Sequence, residues 1–278
     1  MALREPKASL QRLFDCLAAP YARFVFSRLW RETRNDVAWV HPQAHEKVLD
    51  LACGPGTLAL ELARYGCRVY ALDLAEQMVL RAHRARRLQR SAPVHCAVAD
   101  AEQLPIGDET FDLVTCAFSF PDFPAPPQAA AEICRVTRPG GRIAVLEAVA
   151  PDDFAQSTEL NRLEQLRSAG VPTHLLTLSD LLGLFRARGV KLLDASVSER
   201  RRRLEDWLGS AAVRGGAPGR RRLRQELLET ARNDAAGLHL ERYRGHWFYS
   251  AKVARLLWRK PSAPLVPEIV LLQGRAKK

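Results

Sequence analysis

The 278-residue sequence lacks the features that mark secreted, metal-binding and membrane-spanning proteins. Its cysteines contain no C-x-x-C pair, which predicts reduced thiols and no metal site; they stand at positions 16, 53, 67, 96, 116 and 134. The first residues have no apolar signal-peptide core, and no run approaches 18 apolar residues. We therefore expect a cytoplasmic protein without a transmembrane helix.

Negative charge is scarce at one end of the chain only. From Arg200 onward there are 19 Lys and Arg against 7 Asp and Glu, whereas the first 199 residues hold 23 against 24. Such a region is typical of a surface that attracts RNA, an anionic membrane or an acidic substrate, and also of an ordinary solvated face. The arginine runs at 200–203 and 220–224 have no interleaved aromatic residues, so they offer no base-stacking surface.

Short apolar runs alternate with helical patterns in the middle of the chain, which predicts a parallel sheet with right-handed crossovers. The predicted strands there are 47–52, 68–73, 94–99, 111–117 and 142–147. The helical stretches between them are 57–65, 75–88 and 127–137. Before them, residues 9–40 have helical periodicity, which Pro20 is expected to break or kink.

The rhythm loosens after residue 147. We expect helices at 157–169, 180–188 (capped by Ser179), 204–208 and 221–236, and strands at 190–197, 247–258 and 268–272. The predicted fold is therefore α/β and Rossmann-like: a seven-stranded, mostly parallel sheet with helices on both faces, N-terminal helices and a helical cap inserted near the C-terminal strands. The expected units are a helical segment at 1–46, a core at 47–150, cap helices with the remaining strands at 151–260, and a tail at 261–278.

A glycine-rich turn follows the first predicted strand of the core. Gly54 and Gly56 let the chain turn sharply and let a ligand approach the backbone. With Ala59, this spacing also matches the nicotinamide dinucleotide fingerprint. Asp50, however, lies just before the turn, where it would repel a pyrophosphate but attract the ammonium group of S-adenosylmethionine (SAM).

Two further acids end the next two strands. Asp73 is placed to accept both hydroxyls of a ribose, which suits either cofactor. Asp100 is placed to accept a hydrogen bond from the exocyclic amine of adenine, while the Ala101 N–H meets a ring nitrogen. Acids at the ends of three neighbouring strands favour SAM over NAD.

On these motifs, residues 47–147 resemble the class I SAM-dependent methyltransferases, in the subgroup of the ubiquinone/menaquinone C-methyltransferases. The matching segments are 48–56, 71–77, 99–114 and 135–142, and weaker likenesses extend to 14–31 and 160–208. The resemblance implies that SAM is bound and S-adenosylhomocysteine (SAH) released. It adds further predicted cofactor contacts, namely Ala52, Cys53, Leu74, Met78 and Cys116.

One segment departs from the subgroup. Where the quinone enzymes have an Asn-containing stretch after the fourth strand, this chain has the aromatic, proline-rich residues 117–124, which predicts a different acceptor pocket. Phe118, Phe120 and Phe123 in that segment are candidate acceptor contacts, together with Phe14 of the N-terminal helix. The candidate catalytic groups are two, His174 and Tyr21, and core or surface packing is the alternative role for each.

The leading hypothesis is methyl transfer to carbon, oxygen or nitrogen of a small molecule. The alternatives are an RNA methyltransferase that uses the basic C-terminal region, an NAD-dependent dehydrogenase, and a non-catalytic scaffold that binds SAM. Peripheral contact with an acidic membrane is a further option for the same basic region. The sequence names neither the acceptor nor the oligomeric state.

Overall fold

A computed structural model describes residues 5–87, 93–209, 216–230 and 233–262. Its centre is an eight-stranded sheet in the order β3-β2-β1-β4-β5-β8-β6, with β7 paired to β8. The strands are β1 (Lys47–Leu51), β2 (Arg68–Asp73), β3 (Val94–Val98), β4 (Phe111–Ala117), β5 (Thr137–Ala148), β6 (Lys191–Arg203), β7 (Glu241–Tyr243) and β8 (His246–Arg259).

The sheet confirms the predicted α/β class. Strands β1 to β5 are parallel, and β8 runs antiparallel between β5 and β6. The additional strand is β7, which forms a tight hairpin with β8 through Arg244 and Gly245, both at positive φ. Arg-Gly is not the usual Asn-Gly signal of such a turn, so the sequence did not predict it. The strand predicted at 268–272 lies outside the described residues.

The helices flank this sheet and precede it. They are α1 (Lys7–Phe24), α2 (Trp30–Val40), α3 (Thr57–Arg64), α4 (Glu76–Arg86), α5 (Pro126–Val136), α6 (Phe154–Arg167), α7 (Leu178–Arg186), α8 (Leu204–Gly209) and α9 (Gly216–Thr230). A π-helical turn, Val25–Leu29, joins α1 to α2. The expected break at Pro20 was wrong: α1 continues through it to Phe24, and the irregular turn comes afterwards.

Three C-terminal boundaries differ from the sequence predictions. Helix α7 is capped by Thr177, not Ser179: the Asp180 N–H donates to Thr177 Oγ1 at 3.1 Å, and the Thr177 N–H donates to the Asp180 carboxylate at 3.2 Å. The arginines at 200–203 lie within β6, because that strand pairs with β8 as far as Arg203 and Phe248. Helix α9 begins and ends about five residues earlier than predicted.

Four apolar clusters hold these layers together. One lies on each face of the sheet, a small one joins α1 to the start of α4, and the fourth, the cap cluster, joins α6, α8, α9 and the segment before β7. Its buried members are Leu160, Leu163, Leu204, Leu208, Leu223, Leu227, Ala236 and Leu238. The cap therefore has an apolar core of its own beside the carboxyl ends of the strands. Each fully buried leucine in it contributes about 1.5–3 kcal/mol to stability.

Candidate functional site

A cavity of about 150 Å³, the first cavity, opens at the carboxyl ends of β1, β2 and β4 beneath α1. The turn after β1 forms its floor. Ala52, Gly54 and Gly56 all have positive φ there, which bends the chain sharply from strand to helix. Gly56 is required for a second reason, since a Cβ on it would lie 2.9 Å from the Ala82 Cβ. This turn brings backbone N–H groups to the edge of the sheet.

Asp73 connects the end of β2 to the glycine turn. Its Oδ2 accepts the Gly54 N–H at 2.8 Å and its Oδ1 accepts the Ala75 N–H at 2.9 Å. Burial raises the pKa of Asp73 to about 6, although both backbone hydrogen bonds act in the opposite direction. The carboxylate is therefore fixed in place, borders the cavity and keeps acceptor capacity for hydroxyl groups.

Asp50 lies at the centre of the sheet edge, under the turn. The Thr115 hydroxyl donates to its Oδ1 at 2.9 Å, while its Oδ2 is buried without a hydrogen-bond partner among the described residues. Burial raises the pKa of Asp50 to about 7. A buried, unpartnered carboxylate oxygen beside a cavity is costly unless a ligand satisfies it, and an ammonium group is the natural partner.

Asp100, just after β3, also lines the first cavity. It forms an ion pair that the sequence did not predict. Lys7 Nζ, at the start of α1, lies 2.6 Å from both Asp100 Oδ2 and Glu102 Oε2. The Glu102 N–H donates to Asp100 Oδ1 at 2.9 Å. No local pattern connects Lys7 with an acid 93 positions away, so only the fold could identify it.

Helix α1 covers the cavity through further polar contacts. The Gln11 side chain donates to the Leu74 carbonyl at 3.1 Å, and Asp15 accepts the Gln77 N–H at 2.8 Å. Most of the predicted cofactor residues line the cavity below; they are Asp50, Ala52, Cys53, Gly54, Asp73, Leu74, Met78, Asp100 and Ala101. Gly56 and Cys116 are not among the lining residues: the first packs on α4 and the second is buried in the sheet.

A second cavity of about 250 Å³ adjoins the first and extends beneath the cap cluster. The two share part of their lining, namely Phe14, Tyr21, Leu29, Phe118, Asp122 and Arg202. Most of the remaining wall is apolar and includes Leu13, Leu17, Phe24, Leu160, Leu204, Leu227 and Leu238. The arrangement is therefore two connected cavities: the first has carboxylates at three strand ends, and the second is larger and has a mostly apolar wall.

Sequence reasoning missed the acids of the second cavity. Glu147, near the end of β5, accepts the N–H groups of Ser119, Phe120 and Ala148 at 2.8, 3.0 and 3.0 Å. Burial raises the pKa of Glu147 to about 8 in spite of these bonds. Burial also raises the pKa of Asp122 to about 6. In sequence both acids stand in apolar or proline-rich stretches without a motif, so nothing singled them out.

Of the residues predicted to contact the acceptor or to act in catalysis, some line the cavities and others do not. Phe14, Tyr21 and Phe118 border both cavities, and Phe123 borders the first. Burial raises the pKa of Tyr21 to about 12, so at neutral pH its hydroxyl is protonated and acts as a hydrogen-bond donor. Phe120 is fully buried in an aromatic cluster, with ring centroids 5.2 Å from Phe123 and 5.9 Å from Phe185.

His174 lies apart from both cavities. It is exposed in a shallow surface groove, and its backbone N–H donates to the Pro121 carbonyl at 2.8 Å. No histidine of the described part of the chain lines either cavity. The same residues contain no group of three or more His, Cys, Asp or Glu side chains arranged to hold a metal ion.

The arginines of β6 are used inside the molecule. Arg200 Nη2 and Arg255 Nη2 lie 2.7 and 2.5 Å from Asp36 Oδ1 on α2, and Arg202 pairs with Glu32. Arg201 stacks 3.8 Å from the ring centroid of Phe248 and pairs with a neighbouring glutamate at 2.5 Å. Three of the C-terminal arginines that suggested a nucleic-acid surface, Arg200, Arg202 and Arg255, therefore hold β6 and β8 against α2.

Comparison with known proteins agrees with this geometry. The family model described as a methyltransferase domain matches residues 49–145. A demethylmenaquinone methyltransferase from Clavibacter sepedonicus is 35% identical over 156 residues, which cover 54% of this chain and 62% of that protein. The ubiquinone/menaquinone biosynthesis C-methyltransferase UbiE from Roseobacter denitrificans is 39% identical over 153 residues, 51% of this chain and 60% of that protein.

Solved structures show the same fold at lower identity. The YcgJ protein from Bacillus subtilis superimposes with a TM-score of 0.74 at 20% identity, covering 84% of this chain and all of that one. A phosphoethanolamine N-methyltransferase from Haemonchus contortus, solved with SAM, has a TM-score of 0.60 at 17% identity over 84% of this chain and 53% of that one.

Residues 49–145 therefore match a methyltransferase domain, and the chain is similar to proteins named as quinone methyltransferases. The similarity to these two relatives extends over about half of this chain, and the chain spans about three fifths of their length. The described residues include no helix long and apolar enough to cross a membrane.

Proposed function

We propose that this protein transfers the methyl group of SAM to a small-molecule acceptor. The observation that carries the proposal is the junction of the two cavities: the first has carboxylates at three strand ends, and the second is apolar and opens beside it. Because methyl transfer is an in-line displacement, alignment of two bound molecules is the main task, and it contributes about 7–11 kcal/mol.

The lining of the first cavity fits SAM group by group. The unpartnered Asp50 oxygen suits the ammonium of the methionine part, and the fixed Asp73 carboxylate suits the ribose hydroxyls. Asp100 and the Ala101 N–H suit the adenine edge, while Leu74 and Met78 supply apolar contact with its faces. When bound, SAM supplies an activated methyl group on a sulfonium. The chain's part is to hold the two molecules in line and keep water out.

The alternatives have less support. For an RNA methyltransferase the basic C-terminal region would have to present free arginines, but Arg200, Arg202 and Arg255 are paired with Glu32 and Asp36. For a dehydrogenase the glycine turn would have to receive a pyrophosphate directly above Asp50 and Asp73. The names of the matched relatives concern quinones, yet the 117–124 segment differs, so we leave the acceptor open to an experimental screen.

The cofactor assignment is tested by ligand-induced thermal stabilisation of the full chain. SAH at 100 times its Kd should stabilise the fold by about 2.7 kcal/mol, and NAD at the same concentration should not. Stabilisation by NAD without SAH would refute the proposal. Methyl transfer itself is tested by incubating cell extracts and a panel of apolar hydroxy compounds, amines and quinols with labelled SAM.

A further inference from the structure

Asp122 occupies the point where the two cavities meet. It ends the short 3-10 helix Phe120–Asp122 that follows β4, and it borders both cavities together with Tyr21 and Phe118. An acceptor in the second cavity would therefore present its nearest atoms to Asp122 on the side that faces the first cavity. That is the side from which a methyl group would arrive.

The other acids of the second cavity are already engaged. Glu147 accepts three backbone N–H groups, so its oxygens have little capacity left for a ligand. Glu164 accepts the Arg167 guanidinium at 2.5 Å and the Trp207 indole N–H at 3.1 Å. The Asp122 carboxyl has the Thr173 hydroxyl as its hydrogen-bond donor, which leaves most of its lone pairs for another donor.

Resting on the proposed function, we propose that Asp122 is a catalytic residue that takes the proton of an acidic hydroxyl on an apolar acceptor held in the second cavity. The apolar wall selects an apolar body for that acceptor, and the polar junction selects one hydroxyl at its end. Nothing in the sequence assigns this residue a role, because it lies in the segment that departs from the quinone enzymes.

The charges around Asp122 favour a hydroxyl over an amine. Arg167, Arg202 and Lys252 line the second cavity; Arg167 and Arg202 are paired with Glu164 and Glu32, but Lys252 has no acid partner among the described residues. A protonated amine would meet that cation, whereas a developing oxyanion would be stabilised by it. Burial keeps Glu147 protonated at neutral pH, since its pKa is raised to about 8. The cavity therefore holds less negative charge than its three acids would suggest.

Four groups on three elements face Asp122: Tyr21 on α1, Glu147 on β5, and Glu164 and Arg167 on α6. Burial raises the pKa of Asp122, the Thr173 hydrogen bond and Arg167 lower it, and Glu164 raises it, to give a value of about 6. At neutral pH Asp122 is therefore ionised, yet basic enough to accept a proton efficiently.

The step balances without any further reagent. The O–H proton of the acceptor moves to an Asp122 oxygen while the hydroxyl oxygen forms a bond to the methyl carbon of SAM. The bond between that carbon and sulfur breaks, its electron pair stays on sulfur, and the sulfonium becomes the neutral thioether of SAH. Asp122 then releases its proton to solvent as the methyl ether leaves.

The test measures binding of 1-naphthol and 1-methoxynaphthalene to the full chain saturated with SAH, by calorimetry between pH 5 and 8. Asp122→Asn should weaken 1-naphthol binding on the order of tenfold to a hundredfold, the scale of a hydrogen bond to a charged group, and leave 1-methoxynaphthalene binding unchanged. Asp152→Asn, the same change at an exposed aspartate outside both cavities, should alter neither affinity.

The pH dependence of binding distinguishes a catalytic role of Asp122 from a purely structural one. In the wild type, 1-naphthol binding should strengthen as pH rises through about 6, the pKa of Asp122. Thr173→Val removes a hydrogen bond that lowers this pKa, so the midpoint should move to higher pH. With SAM in place of SAH, 1-methoxynaphthalene should form, and Asp122→Asn should lower its rate without changing the affinity for SAH.

Three results would overturn the inference: no 1-naphthol binding, equal losses of both ligands in Asp122→Asn, or tighter binding of 1-naphthylamine than of 1-naphthol. Each is interpreted only for protein that binds SAH. Failure of the wild type to bind SAH is the separate result that refutes the proposed function. SAH binding by Asp122→Asn shows that the variant is folded.

Discussion

Aspartates of this chain differ in chemical state because the fold surrounds them differently. Asp112 is half-exposed, and its hydrogen bonds to the Lys47 N–H and Arg138 keep the pKa of that carboxyl below its ordinary value. Asp50 and Asp73, by contrast, are buried at the carboxyl ends of the neighbouring strands β1 and β2. Burial raises the pKa of Asp50 to about 7 and that of Asp73 to about 6. Residue type alone does not reveal which acids are poised to meet a ligand.

Asp73 carries the first prediction. Asp73→Ala should weaken SAH binding by about 1.5–3 kcal/mol, since a charged acceptor of hydroxyl groups is lost. In the wild type, SAH affinity should fall as pH drops below about 6, because the carboxyl then becomes protonated. Calorimetric titration measures both effects. Asp152→Ala is the matched exposed control, and equal affinities in the two variants would contradict the ribose assignment.

At the residue scale, the sequence predicted the acids that line the first cavity but not those that line the second. Asp50, Asp73 and Asp100 could be predicted because each ends a strand of a regular βα repeat. Asp122 and Glu147 could not, because their position beside the second cavity depends on where the cap packs. His174 was singled out as a titratable group, but the structure places it at the surface.

Among the elements, helix α7 shows how a cap is chosen. Both Thr177 and Ser179 are good capping residues, but only Thr177 has an acid three positions later that completes a reciprocal pair of hydrogen bonds, with Asp180. The helix therefore begins two residues before the position predicted from the sequence. The result matters for the sheet, because Phe185 of α7 is fully buried and its ring lies 4.4 Å from that of Trp258.

The cap provides the second prediction. Thr177→Ala should lower the free energy of unfolding by about 1 kcal/mol, because it leaves the first N–H groups of α7 without their acceptor. Ser179→Ala, two residues along the same helix, should change it by no more than about 0.5 kcal/mol. Urea denaturation of both variants measures the difference. A larger loss at Ser179 would restore the cap that the sequence suggested.

Strand β6 is the element whose sequence was most open to misreading. In the sequence, its arginines resemble a nucleic-acid-binding patch. In the strand, successive side chains alternate, so Arg200 and Arg202 lie on one face of the sheet and Arg201 lies on the other. Arg200 and Arg202 meet the acids of α2, and Arg201 meets Phe248. A run of like charge thus becomes two separate sets of contacts.

The whole molecule depends on the junction between the N-terminal helices and the C-terminal strands. Asp36 is 4% exposed and contacts both Arg200 and Arg255. Asp36→Ala should lower the free energy of unfolding by about 1.5–3 kcal/mol, because Arg255 loses its acid partner and the buried Arg200 keeps only Glu32. Glu205→Ala, which removes an exposed partner of Arg224, should cost about 0–1 kcal/mol. Equal losses in urea denaturation would contradict the buried junction.

Buried acids also set how the stability of the whole chain responds to pH. Burial raises the pKa values of Asp50, Asp73, Asp122 and Glu147 to about 7, 6, 6 and 8. Each group binds its proton more tightly in the folded chain, so its contribution is fully present below the unfolded pKa and is lost as pH rises through the folded value. Stability of the unliganded chain should therefore decline from about pH 4, the ordinary pKa of these acids, to about pH 8.

Glu147→Gln isolates one part of that decline. The variant keeps the shape of the side chain but has no proton to lose, so its free energy of unfolding should fall less steeply near pH 8 than that of the wild type. Glu199→Gln, at an exposed position of β6, should reproduce the wild-type slope. Urea unfolding at several pH values measures the slopes. Identical slopes in all three proteins would exclude Glu147 as a source.

What the sequence determined by itself is local and periodic. The alternation of strands and helices predicts the α/β class, and the glycine turn with its three strand-end acids predicts where the first cavity lies. These signals are readable because strand order in a βα repeat brings consecutive strand ends together whatever else the chain contains. Other local features could not be predicted as well from the sequence, because short polar segments have weak periodicity. These features are the length of the cap, the β7 hairpin and the exact limits of the helices.

What only the tertiary structure decided concerns residues far apart in the chain. It placed Lys7 on Asp100, the arginines of β6 on α2, and Asp122 at the junction of the two cavities. Such pairings depend on the packing of whole elements against each other and not on the spacing of residues. The first cavity is therefore predictable from the strand ends, because they follow a regular repeat, whereas the second depends on how the cap packs beside them.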